Sequence, residues 1–158
     1  DTISYASVLI LPILKEAKPI LNQELIEKYK HEKLTRKNTR WYIETTESSL
    51  KLAKNWIADE DISSIPNIVY PLIMRLRGLY IIESLIHNKR YYNKEVTDYM
   101  VKKGIPLEKV KQLNKVYQEH RDNKAISSNS LDYKDITNLY NIVYEYFQKV
   151  KLLWEKLK

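Results

Sequence analysis

Glycine is almost absent from this chain, because only Gly78 and Gly104 occur among its 158 residues. Phosphate-cradling loops, tight hairpins and strained catalytic elbows depend on glycine, which adopts backbone conformations that other residues avoid. Neither a phosphate-loop lysine motif nor a Gly-x-Ser-x-Gly elbow is present. The sequence therefore specifies a fold, through its helical spacing, better than it specifies a reaction.

Cysteine is absent as well. This excludes disulfides, thiolate catalysis and every cysteine-based zinc site, and it favours a cytoplasmic location. The three histidines, His31, His87 and His120, lack the spacing of metal ligands. We predict no metal site and no cofactor in this chain.

Long apolar runs are missing too. The longest, residues 8–14, is far below the roughly 20 residues of a membrane-spanning helix. No basic region precedes it, so it does not resemble a signal peptide, and we expect no membrane partner. The missing initiator Met indicates a processed chain or a piece of a longer protein.

Positive charge is in excess, with a net charge of +7. This balance attracts nucleotides, nucleic acid or an acidic partner without distinguishing them. Trp41 and Tyr42 follow one basic cluster and offer stacking surfaces for bases, as a nucleic-acid-binding patch would need. We favour the alternative that the cluster is a solvated helix face, whose positive charge is reduced by Glu27 and Glu32. The cluster consists of Lys28, Lys30, His31, Lys33, Arg36, Lys37 and Arg40.

Apolar residues recur at helical spacing, which predicts an all-α fold: an up-and-down bundle of about five or six helices. The expected helices are residues 4–17, 23–60 with breaks near 35–39, 68–86, 93–104, 106–121 and 132–158, with a short extended piece at 18–22. The first helix has a predicted stripe of Ala6, Leu9, Ile10, Ile13, Leu14 and Ala17, with Pro12 discordant. The apolar face of the second carries Leu25, Ile26, Tyr29, Leu34, Trp41, Ile43, Leu50, Ala53 and Ile57.

Residues 68–86 are apolar almost all round, which is typical of a central buried helix. Pro71 suits a first turn, so regular helix is expected from about Tyr70. Gly78 costs about 1 kcal/mol relative to alanine inside a helix. It predicts the close approach of a neighbouring helix.

Arg75 and Arg77 lie in this apolar helix, where a guanidinium needs a carboxylate, carbonyls or a ligand anion. Glu83 and a phosphate are the two candidates, and we favour a structural ion pair. His87, Lys89 and Arg90 at the C-terminal end of this helix interact favourably with its dipole. For them too, we favour a structural role over binding of a ligand anion.

Local signals predict several helix ends. Asn93 is expected to cap a short helix, and Gly104 to end it in a left-handed conformation. Pro106 opens the next helix, and Asp132 or Ser130 caps the last.

The last helix carries a heptad seam that must pack along another helix. We favour a bundle helix within the chain over a dimeric coiled coil, because Leu139, Ile142, Tyr146 and Leu153 widen the apolar stripe. The seam consists of Ile136, Tyr140, Val143, Phe147, Val150, Trp154 and Leu157.

Residues 119–122, Glu-His-Arg-Asp, collect an acid, a base and a cation next to Tyr117. They are the best single site candidate. A polar helix end is an equally good explanation, since such residues are common there.

Residues 47–54, the buried helix at 70–86 and Tyr117-x-x-x-Arg121-Asp122 follow one another in an order that resembles the HEPN family of helical nucleotide-binding domains. Residues 75–80 with 88–93 are similar to the helical C-terminal region of archaeal nucleotidyltransferases. The resemblance implies an up-and-down bundle, often dimeric, that binds substrate beside a small catalytic domain. Residues 1–22 would then be the tail of that upstream domain, and residues 23–158 the helical bundle.

Nuclease members of the HEPN family carry an arginine followed a few residues later by a histidine, and here no histidine has an arginine at that distance before it. We therefore expect a binding domain without catalytic residues. Its ligand is a nucleotide or nucleic acid, and it forms a homodimer or packs against a nucleotidyltransferase domain. The first alternative is a dimerisation or protein-interaction module. The second, less favoured alternative is a HEPN ribonuclease. The expected ligand contacts are Arg75, Arg77, Tyr117, His120, Arg121 and Asp122.

Overall fold

A computed structural model describes residues 7–16, 23–30, 33–59, 65–126 and 131–158. These residues form helices and no strands, which confirms the predicted all-α fold. The predicted extended piece at 18–22 lies outside the described residues. The helices are α1 (Ser7–Glu16), α2 (Gln23–Lys30), α3 (Arg36–Ala58), α4 (Ile65–Ile86), α5 (Asn93–Lys102), α6 (Leu107–Arg121) and α7 (Tyr133–Glu155).

Helix α4 is the centre of the bundle and contacts α1, α3, α5, α6 and α7. Ile68, Leu72 and Leu76 on this helix are fully buried, as its apolar sequence predicts. The expected start near Tyr70 is wrong, because α4 is already helical at Ile65. Pro66 stands in the first turn, where a missing N–H has no helical partner to lose.

Helix α7 packs its heptad face against α4 and α3 within the same chain. Val143, Phe147 and Val150 are almost completely buried there. The interpretation as a bundle helix is therefore confirmed. At the far end of α7, the Trp154 indole N–H donates to the buried Thr39 hydroxyl at 2.9 Å.

Gly78 lets α3 approach α4, as predicted. A methyl group at this position would overlap the hydroxyl and ring of Tyr42, whose Cε1 atom would lie 2.8 Å away. The Tyr42 hydroxyl donates to the Met74 carbonyl at 3.2 Å. Tyr42 thereby occupies the space that the missing side chain leaves.

Three helices end in the same way. Gly104 has a φ of 99°, and Asn88 and Asn123 both have a φ of 52°. At each, the next amide reaches back across the last helical turn, as the Lys89 N–H does to the Ser84 carbonyl at 2.7 Å. Asparagine thus takes the left-handed position where the glycine-poor chain has no glycine.

Of two predicted helix N-caps, one is confirmed and one is wrong. Asp132 caps α7, because its carboxylate accepts the Asp135 amide at 2.8 Å. Asn93 is not the cap of α5, since Tyr92 is the residue before the helix and makes no side-chain cap bond. The Asn93 carboxamide instead accepts from the Tyr91 hydroxyl at 2.7 Å.

The apolar faces of the first helices differ from the prediction. Helix α1 buries Val8 and Leu11, whereas Ile13 is 67% exposed. The predicted break in the polar stretch is confirmed, because Thr35 caps α3. On α3 the predicted core residue Trp41 is 54% exposed and Tyr42 is buried in its place.

None of the described helices combines the length and the apolar character needed to cross a bilayer.

Candidate functional site

Arg77, Tyr117, Tyr70 and His120 form one cluster between α4 and α6, which we call the Arg77 cluster. The Arg77 guanidinium carbon lies 4.5 Å from the centre of the Tyr117 ring. Tyr117 stacks on Tyr70, with ring centres 5.3 Å apart. The His120 ring lies 4.8 Å from Tyr70. Tyr70 and Arg77 share one face of α4, two turns apart, and this face meets α6.

The positive charge of Arg77 rests on an aromatic face. No described carboxylate pairs with it, so the predicted structural ion pair is wrong for Arg77. A cation over a tyrosine ring is attracted by the ring quadrupole but is not neutralised. Among the described side chains, the Arg77 guanidinium therefore contacts an aromatic ring and no carboxylate.

Glu83, the carboxylate proposed as its partner, is engaged elsewhere. Lys149 Nζ lies 2.6 Å from one Glu83 oxygen, and the Tyr146 hydroxyl donates to the other. Burial raises the pKa of Glu83, but the two hydrogen bonds and the charges of Lys149 and His87 together outweigh it, and the net pKa lies below its ordinary value. Burial and the adjacent carboxylate raise the pKa of Tyr146. The group ties α4 to α7 and is structural.

Arg75 lies apart from the Arg77 cluster and faces α3. Its guanidinium donates to the Thr45 hydroxyl at 3.1 Å, and its carbon lies 5.2 Å from the Tyr42 ring centre. Burial raises the pKa of Tyr42 to about 12, against the opposing effect of Arg75. Arg75 therefore joins two helices and is not grouped with the other predicted contacts.

Arg121 and Asp122 follow the cluster at the end of α6 and pair with each other. Arg121 Nε lies 2.8 Å from Asp122 Oδ1. The hydrogen bond from Arg121 lowers the pKa of Asp122. Their charges compensate each other, so of the six predicted contacts the structure brings together Arg77, Tyr117 and His120.

A cavity of about 740 Å³ lies at the C-terminal end of α4. The sequence did not predict it, because it forms only where α1 crosses the end of α4. The sequence had singled out the cations His87, Lys89 and Arg90 near this loop, but as charges that suit the helix dipole. Its lining is Pro12, Ile13, Ile81, Ser84, Leu85 and residues 88–93.

Tyr91 connects this cavity to the Arg77 cluster. It lines the cavity. Burial raises its pKa, while the nearby Arg77 guanidinium lowers it and Tyr117 raises it further. Arg77 also precedes Ile81, another lining residue, by one turn of α4, so both lie on one face of this helix.

The predicted basic patch before Trp41 is divided. Arg40 pairs with Glu44 at 2.7 Å, and Arg36 lies over the Trp154 ring at 5.0 Å. Tyr42 is buried and offers no surface for a base. These contacts favour the solvated helix face.

In the part of the chain that is described, no group of histidine and acidic side chains is placed to hold a metal ion. Comparison with known protein families, with curated proteins and with solved structures finds no match to this chain. Its function therefore has to be argued from its own side chains.

Proposed function

We propose that this chain is a non-catalytic, nucleotide-binding helical domain of a nucleotidyltransferase-type protein, HEPN-like in kind and cytoplasmic. The observation that carries the proposal is the Arg77 guanidinium, which has a tyrosine ring behind it and no described carboxylate paired with it. The link to nucleotidyltransferases rests on the resemblance of residues 75–80 and 88–93.

Phosphate is the anion that suits this arrangement. A guanidinium forms two parallel hydrogen bonds to phosphate oxygens, and such charge-assisted bonds are about twice as strong as neutral ones. The Tyr117 ring lies against the Arg77 guanidinium, and the Tyr70 ring stacks on Tyr117. The His120 ring packs beside Tyr70.

Calorimetric titration with ATP at fixed salt tests the proposal. Arg77→Gln should weaken ATP binding by about tenfold or more, since a charge-assisted hydrogen bond contributes about 1.5–3 kcal/mol. Arg40→Gln is the matched control, because it removes the same charge from an exposed side chain paired only locally with Glu44. Equal affinities for the two variants would refute the role of Arg77.

The alternative, a protein-interaction module, predicts a different result. The heptad face of α7 is covered by α3 and α4, so a partner has to use exposed residues such as Trp41 and Leu152. Size-exclusion chromatography with light scattering separates the two cases. A stable dimer whose Arg77→Gln variant binds ATP unchanged favours the module. RNA cleavage that His120→Ala abolishes would instead favour a ribonuclease.

A further inference from the structure

We infer that the cavity at the end of α4 binds the nucleoside part of the ligand whose phosphates lie at Arg77. The inference rests on the proposed function and deepens it, because it assigns a second subsite and the class of ligand. A volume of about 740 Å³ lies within the range of small-molecule sites.

The lining of the cavity combines apolar and polar side chains. Pro12, Ile13, Ile81 and Leu85 provide apolar surface against which the faces of a base can be removed from water. Asn93 at the rim supplies an amide that can hydrogen-bond to the edge of a base. Such a mixture of apolar walls and few polar groups is typical of sites for small organic ligands.

Charge places the phosphates on the Tyr91 side of the cavity. Lys89 and Arg90 line the cavity, and the Arg90 guanidinium lies 5.4 Å from the Tyr92 ring centre. On α4, Arg77 lies one turn before Ile81, a residue of the cavity lining, so the two side chains are neighbours on one face of the helix. A ligand whose base lies in the cavity and whose phosphates extend past Tyr91 would meet Lys89 and Arg90 at the cavity and Arg77 at its phosphates.

The rim is formed before any ligand arrives. Asn88 takes the left-handed conformation, and the Lys89 amide is bonded to the Ser84 carbonyl at 2.7 Å. The Tyr91 hydroxyl donates to Asn93 at 2.7 Å. Because these bonds hold the loop, binding costs little ordering entropy.

The test compares ATP, tripolyphosphate and adenosine by calorimetry on the whole chain. We expect ATP to bind at least about tenfold more tightly than tripolyphosphate, because burial of the nucleoside adds to the phosphate contacts. Adenosine should bind weakly and compete with ATP. Equal affinity of ATP and tripolyphosphate would overturn the inference.

Two pairs of variants locate the subsite. Ile81→Trp fills the cavity and should abolish the preference for ATP without changing tripolyphosphate binding, whereas Ile57→Trp, a partly buried residue outside the lining, should keep the preference. If Ile81→Trp does not fold, the comparison of Ile13→Ser with the control Leu152→Ser tests the subsite. Both of these side chains are largely exposed (67% and 62%), so neither substitution should disturb folding. ATP binding should fall several-fold in Ile13→Ser alone. Equal ATP affinity within the pair that decides would overturn the inference.

The two proposals fail in different ways. Arg77→Gln should weaken both ATP and tripolyphosphate. If it does so while the cavity variants change nothing, the phosphate site stands and the nucleoside subsite is refuted. If neither compound binds the unaltered chain, both proposals are refuted.

Discussion

Replacing Gly78 with alanine tests the closest approach between α3 and α4. The new methyl group would overlap the Tyr42 ring and hydroxyl. Tyr42 is only 5% exposed, so the ring has no free space into which it can turn. The helices must separate, or Tyr42 must give up its hydrogen bond to the Met74 carbonyl.

The expected change in the free energy of unfolding is the balance of one stabilising and two destabilising effects. Alanine gains about 1 kcal/mol over glycine in a helix. Overpacking a filled core costs about 1–3 kcal/mol, and loss of the Tyr42 hydrogen bond costs about 1 kcal/mol more. We therefore expect Gly78→Ala to lower the free energy of unfolding by about 1–3 kcal/mol. For a chain of this size, that lowers the melting temperature by about 3–10 °C.

Urea and thermal unfolding followed by circular dichroism measure this change. The informative experiment is a double-mutant cycle with Tyr42→Leu, which removes the hydroxyl and the far side of the ring. In that background Gly78→Ala should become neutral or stabilising by up to about 1 kcal/mol, because only the helix propensity remains.

Gly104→Ala serves as the control. A Cβ atom at Gly104 meets nothing within 4 Å, but the φ of 99° makes alanine strained there. Its cost should be the same with and without Tyr42→Leu. A stabilising effect of Gly78→Ala in the unaltered chain, or equal effects in both backgrounds, would refute the close-approach argument.

Three further predictions concern helix ends and charge. Asn123→Ala should lower the free energy of unfolding by about 1–2 kcal/mol, whereas Asn123→Gly should not lower it, because the φ of 52° penalises an ordinary side chain; urea unfolding compares the two, and equal losses would contradict the reasoning. Asp132→Ala removes the cap of α7 and should lower the free energy of unfolding, measured in urea, by about 1 kcal/mol. A change near zero would show that the cap does not stabilise the fold. The pKa of Glu83 in the folded chain is below its ordinary value of 4.5, so its interactions stabilise the fold above that pH and are lost as the pH falls below it. Urea unfolding from pH 7 to pH 3 should therefore show a smaller loss of stability in Glu83→Gln than in the unaltered chain, and identical pH profiles would refute this.

Local chemistry carried most of the fold prediction. Helical spacing of apolar residues identified α4 and α7. Gly104 marked the end of α5 and Asp132 the start of α7, because capping acts within a few residues. The sequence analysis missed Asn88, although asparagine is the residue after glycine that tolerates the left-handed conformation. Trp41 was misplaced because it stands next to Tyr42 in a polar helix, and only packing shows which of the two is buried.

The site was predicted less completely. Arg75 and Arg77 received equal weight, yet two residues along a helix turn by about 200°. They therefore face different neighbours, Thr45 on α3 and Tyr117 on α6. Helix geometry alone predicts that separation, whereas the identity of each neighbour requires the fold.

The amino-acid order by itself determined that this chain is helical, where most of its helices begin and end, and which helix is central, because these properties depend on residues a few positions apart. Tertiary structure alone decided that Glu83 pairs with Lys149 and Tyr146, that Arg77 lies on an aromatic ring, and that α1 borders a cavity at the end of α4. Each of these contacts joins residues far apart in the chain, so it depends on how whole helices pack, which no local pattern encodes.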